Sequence, residues 1–221
     1  MEQLQDEVLI FQPKTNGELE GAVNQWISWR SIALKKFGHI SKWDTSLITD
    51  MKWIFAKKKD FNDNINNWDV SSVTNMEHMF WKASSFNQPL SSWDVSKVTN
   101  MKCMFLAASS FNQPLDSWDV SSVTIMEGML SGNLFNQPLT SWDVSSVTNM
   151  FSMFSFAESF NQDISQWNVS NVTEMTGMFS FAKSFNQDIS QWNVSNVIRM
   201  DTMFYGASSF DKKNAPWYEF D

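Results

Sequence analysis

The chain has 221 residues, with 16 Lys and Arg against 24 Asp and Glu, a net charge of −8, one cysteine, 12 Trp, 19 Phe and 14 Met. That acidity argues against broad nucleic-acid binding, which needs a basic face. The lone thiol, Cys103, excludes a disulfide framework and a Cys-based zinc finger.

The start, MEQLQDEVLIFQPK, is acidic and only briefly apolar, so it does not read as a secretory signal. No run approaches the roughly 18 apolar residues of a spanning helix, and a soluble chain without membrane insertion is expected. Residues 1–39 read as an N-terminal cap, a strand followed by an amphipathic helix. Leu19, Val23, Trp26 and Ile27 recur at helical spacing over residues 16–36, and Gly38 can close that helix.

From residue 40 to 210 the chain repeats. Trp43, Trp68, Trp93, Trp118, Trp142, Trp167, Trp192 and Trp217 follow at 25-residue steps with one step of 24. The short step arises where MLSGNLF lacks one residue of the pattern MFLAASSF. A fixed period of this size marks stacked units that bury their apolar side chains only against one another. Seven tandem repeats followed by a polar C-terminal cap, 211–221, make one structural domain.

Within a unit, Trp93 and Val95 alternate with Asp94 and Ser96, the rhythm of a short strand. Met101, Met104, Phe105 and Ala108 then fall on one face of a helix, with Thr99 ahead of them as N-cap. Thr74 with Glu77 and Thr124 with Glu127 fit capping boxes. A strand pairing with its counterpart in the next unit must be parallel, and the helix supplies the crossover. The fold class expected is an α/β repeat solenoid, with short parallel strands on one face and short helices on the other.

The repeat writes side chains into columns. Trp43, Trp68, Trp93, Trp118, Trp142, Trp167 and Trp192 form the structural core column, and the methionines after the threonine share the helix face used by Phe and Ala. Asp44, Asp69, Asp94, Asp119 and Asp143, continued by Asn168 and Asn193, form the column with functional promise. Two readings stand open for it. Each carboxylate accepts local bonds in an Asx-type turn, or the column is a solvated acidic stripe for a basic partner or divalent cation. Asn62, Asn87, Asn112, Asn136, Asn161 and Asn186 suggest an amide ladder between units. Trp81, Leu106, Phe156, Phe181 and Tyr205 either pack under loops or form an exposed patch. His39, His78 and Cys103 have no partners at triad or metal-ligand spacing, so neither enzymatic activity nor a cofactor is expected.

The pattern FNQPLSSWDVSSVTNMxxMFxxASS resembles the BspA-like repeat, the mycoplasma-lipoprotein-type repeat of unknown function, over roughly residues 40–210. Laid on the leucine-rich repeat, Leu90-x-x-Trp93-x-Val95 matches L-x-x-L-x-L. The resemblance implies a right-handed, leucine-rich-repeat-like coil and an extracellular or cell-surface setting. It also implies a non-enzymatic scaffold for adhesion, binding a protein or glycan partner, and allows a homo-oligomer or larger assembly. It transfers no catalytic residue. The alternative is a regular-ladder ligand binder, taking a divalent cation along the Asp column or meeting an ice or crystal surface. Threonines used as helix caps disfavour the ice version.

Overall fold

The computed structural model describes residues 10–219. The strand expected at the start falls largely outside them, and residues 10–14 form no strand. The single helix expected over 16–36 is two helices, α1 (Asn16–Ser28) and α2 (Arg30–Phe37), broken at Trp29 (φ −141°, ψ 61°). Thr15 caps α1 by accepting the Glu18 N–H, and Gly38, at φ 71°, ends α2. Leu19, Ala22, Val23 and Trp26 face the core, whereas Ile27 is 41% exposed and lies off the buried face.

The repeats contain neither the strands nor the helices expected of an α/β leucine-rich-repeat-like solenoid. Among the described residues the two helices above and two short 3-10 turns, Ile40–Lys42 and Lys212–Asn214, are the only named elements. Parallel pairing is confined to single bridges linking Asp50, Asn75, Asn100, Ile125, Asn149, Glu174 and Arg199 in succession. Each unit, numbered here as coils 1 to 7 from Trp43, Trp68, Trp93, Trp118, Trp142, Trp167 and Trp192, is a loop of β-turns lying on its neighbour.

Coil 3 shows why. The N–H groups of Met101, Cys103, Phe105 and Ala107 donate across to the carbonyls of Ile125, Glu127, Met129 and Ser131, at 2.7–3.0 Å. The alternate N–H groups of Met104, Leu106 and Ala108 close turns onto Met101, Cys103 and Phe105, at 3.0–3.2 Å. An α-helix would keep all these donors for itself. Helices also need about 8–10 Å between axes. Here Phe55, Phe80 and Phe105 stack with centroids 5.3 Å apart, leaving no room for a helix per coil. The turn ladder still sends Met101, Met104, Phe105 and Ala108 inward, all buried, so the periodicity named the right side chains and the wrong backbone.

The strand fails for a different reason. Trp93 and Val95 do point inward while Asp94 is exposed. They are pinned between two turns, Leu90 to Trp93 and Val95 to Val98, closed by N–H bonds of 3.1 and 2.8 Å. Too little chain separates those turns for a strand to run.

The core is continuous from α1 to coil 7. Parallel indoles lie 6.2–6.5 Å apart from Trp43 to Trp68, Trp93 to Trp118, and Trp142 through Trp167 and Trp192 to Trp217. A second file runs Phe61, Phe86, Phe111, Phe135, Phe160, Phe185 and Phe210. The repeat methionines from Met51 to Met178, together with Met203, are fully buried in the same core, with Met200 half-buried at the last coil.

Candidate binding face

The aspartate column stands outside the core, on residues whose neighbours both point in. Oδ1 of Asp94 accepts the Ser96 N–H (3.1 Å) and hydroxyl (2.6 Å), and Asp69 and Asp119 hold Ser71 and Ser121 the same way. Asp143, Asn168 and Asn193 accept the N–H of Ser145, Ser170 and Ser195 at 2.9–3.2 Å. Asp44 caps Ser46 and also takes Gln12 Nε2 on its second oxygen, at 2.6 Å. Each is an Asx turn. The serine hydroxyl, followed by the serine N–H, holds the carboxyls of Asp44, Asp94 and Asp143 below the usual carboxylate range. Apart from half-exposed Asp44, the column is solvent-exposed from Asp69 to Asn193. Oδ2 of Asp69, Asp94 and Asp119 has no hydrogen-bond partner among the described residues, although the charge of Lys97 acts on Asp94.

A threonine column runs beside it. Thr74, Thr99, Thr124, Thr148 and Thr173 cap no helix, and the capping boxes with Glu77 and Glu127 do not form. Each instead donates its N–H, at 2.8–2.9 Å, and its Oγ1, at 3.2–3.3 Å, to the carbonyl of the threonine one coil earlier. All five are exposed, as is Thr49 at the head of the column. The next residue makes an Asx turn instead: Asn75, Asn100 and Asn149 accept the N–H of Glu77, Lys102 and Phe151.

The tryptophan column lies beneath this face, Trp43 through Trp192 being at most 4% exposed. Its indole N–H groups reach back 27–28 residues, past the preceding tryptophan, to main-chain carbonyls: Trp68 to Ile40, Trp93 to Ile65, Trp118 to Leu90, Trp142 to Leu115, Trp167 to Leu139 and Trp192 to Ile164. Sequence reasoning missed this bond. The signal was present, because a buried indole needs an acceptor and every repeat offers one at a fixed offset.

On the return loop the amide ladder forms. Oδ1 of Asn62, Asn87, Asn112, Asn136 and Asn161 accepts the N–H of the corresponding asparagine one coil later, at 2.9–3.0 Å. The following glutamine in each case donates to the same oxygen. The ladder is half-buried at Asn87, Asn112 and Asn136 and exposed at its ends.

His39 accepts the Ser41 N–H at the first 3-10 turn. His78 is stacked face to face on Trp53 at 4.0 Å, and burial pushes its pKa down against the opposing pull of Glu77. Burial raises the Cys103 thiol to about 11, which keeps it protonated at neutral pH. Among the described residues no three His, Cys, Asp or Glu side chains converge as a metal site would need. No described helix is long and apolar enough to cross a membrane.

The repeat matches the family described as Mycoplasma protein of unknown function, DUF285, over residues 28–137 and again over 131–219. The chain belongs to that family. No curated protein and no solved structure matches it. The two matched segments begin in α1 and end beyond Trp217, so the family unit takes in α2 and the last coil as well as the repeats.

Proposed function

We propose that this protein is a non-enzymatic binding scaffold of the BspA-like surface type, presenting its exposed aspartate and threonine columns to a protein or glycan partner. One observation supports the reading above others. The side chains of this face are held in register by bonds that do not involve a ligand: Asx turns for the aspartates and coil-to-coil bonds for the threonines. A pre-ordered surface gives up little conformational entropy on association. The test is adhesion of the labelled chain to host-type cell surfaces and to immobilised glycans. Replacing Thr99, Thr124 and Thr148 together by Val, and Asp94 and Asp119 by Asn, abolishes that adhesion; the aspartate pair keeps its Asx acceptors and its melting temperature, and the threonine triple, losing three Oγ1 bonds, melts lower but still cooperatively. Full adhesion by both variants would sink the reading.

The regular-ladder alternative gains from the same face. Threonines released from helix capping stand exposed in file, and three aspartates keep an oxygen free. Calorimetric titration with calcium separates the cation version, since heat at millimolar calcium that Asp94→Asn with Asp119→Asn removes supports it. Absence of heat discards it.

A further inference from the structure

The turn ladder forces a left-handed backbone at two positions in every coil, and glycine is the residue that takes it without strain. The chain uses glycine there at Gly128, Gly132, Gly177 and Gly206. Coils 3 and 5 fill both positions without glycine, with Cys103 and Ala107 and with Ser152 and Phe156, and coils 1 and 2 place four large side chains there, Trp53 (φ 66°), Lys57 (φ 62°), His78 (φ 56°) and Lys82 (φ 57°). Bulky residues in this region persist where something else requires them, and such outliers gather at ligand sites.

The four side chains gather around a fifth, Trp81. The His78 ring covers one face of Trp53, and Trp81 meets both rings edge-on at 5.5 and 5.7 Å. No other described ring packs on Trp53, which remains 40% exposed. Lys57 and Lys82 hold their ammonium groups 4.7 and 4.9 Å from the centre of the Trp81 ring, two like charges on one indole. Lys59 lies exposed beside them. In a chain with 24 acidic residues, none of Lys57, Lys59 and Lys82 has a carboxylate partner among the described residues. Lys52 and Lys58, by contrast, are tied to Asp50 and to Asn24 of α1.

We propose that Trp53, Lys57, Trp81 and Lys82 form a binding site for an acidic polysaccharide, a sugar ring lying against the exposed part of the Trp53 indole and its sulfate or carboxylate meeting Lys57 and Lys82. An indole face accepts the apolar side of a sugar ring, and the ammonium groups supply the charge-assisted bonds that a neutral sugar does not use. The proposal deepens the binding-scaffold reading by naming a ligand class. Its residues are separate from the aspartate and threonine columns, so either reading can fail alone.

The experiment is calorimetric titration of the 221-residue chain with dextran sulfate at low ionic strength, with neutral dextran and polyglutamate as matched probes. The variants are Lys57→Gly with Lys82→Gly, and Trp53→Gly. Glycine at these left-handed positions relieves strain, so the folded state is preserved and the melting temperature of the lysine variant holds or rises. Dextran sulfate binds, neutral dextran does not, and affinity falls as salt rises. The lysine pair loses about tenfold or more in affinity and Trp53→Gly several-fold, as expected for exposed charge-assisted and aromatic contacts. No binding of dextran sulfate would overturn the site, as would undiminished binding by the lysine variant. Polyglutamate binding as tightly as dextran sulfate, insensitive to Trp53→Gly, would equally overturn it by showing that charge alone is read.

Discussion

Trp118 donates its indole N–H to the main-chain carbonyl of Leu90, 3.0 Å away and 28 residues earlier in the chain. The bond ties coil 4 to the return loop of coil 2 while the same ring stacks on Trp93, 6.3 Å off and 6° from parallel. One side chain therefore contributes dry packing and satisfies a buried polar group. Trp118→Ala is expected to cost about 3–5 kcal/mol as a large-to-small core change. Trp118→Phe keeps much of the packing and removes one of two bonds to the Leu90 carbonyl, which still accepts the Trp93 N–H, so it is expected to cost only about 0.5–1.5 kcal/mol beyond the change in packing. Urea unfolding of the two variants measures both, and a Phe variant as stable as the parent would show the bond to be idle.

Among the described residues α-helix is confined to α1 and α2, of 13 and 8 residues. Far-UV circular dichroism is expected to give a weak helical signal, and truncation of α1 and α2 should remove nearly all of it. A spectrum dominated by helix would mean that the turn ladders are helical after all.

Asn112 sits in the middle of the amide ladder, its Oδ1 accepting both the Asn136 N–H (2.9 Å) and Gln137 Nε2 (3.2 Å). Asn112→Ala leaves both donors without a partner and is expected to cost about 1–3 kcal/mol. Asn112→Asp retains an acceptor and is expected to lose less than half as much in the same denaturant titration.

Ala107 holds φ 57° in coil 3, where coil 4 has Gly132 at φ 65°. Left-handed strain of about 1–2 kcal/mol outweighs the extra chain entropy of glycine, about 0.5–1 kcal/mol, so Ala107→Gly is expected to stabilise slightly. The reverse change, Gly132→Ala, is expected to destabilise. Its added Cβ meets only Ala107 backbone at an ordinary 3.8 Å, so the loss is backbone strain and not a clash. Melting temperatures that move in the opposite directions would reject the assignment of strain.

His78 has its pKa lowered by burial from an ordinary 6.5. Between the folded value and about 6.5 the unfolded chain binds more protons than the native one, so stability rises with pH in that window and is lost as pH falls through it. Acidification from about pH 7 to 5 should therefore lower the melting temperature, and His78→Asn, which tolerates the left-handed backbone, should flatten the slope. An unchanged slope would assign the acid sensitivity to other groups.

The inventory of buried side chains was legible in the sequence alone, because a period of 25 residues repeats the same apolar letters and units that cannot bury them singly must do so by stacking. The tryptophan file, the methionines and the Asn62-to-Asn161 ladder follow from that period without any knowledge of backbone shape. The local backbone was decided only by the tertiary stack. Met101, Met104, Phe105 and Ala108 read equally as one face of a helix or as the inward corners of consecutive turns. The choice turns on where the N–H groups of Cys103 and Ala107 find acceptors, and those carbonyls lie on the next coil, 24 residues away at Glu127 and Ser131. Local pattern cannot contain an acceptor that exists only once the coils are piled, and the 5.3 Å spacing of Phe80 and Phe105 then excludes the helix.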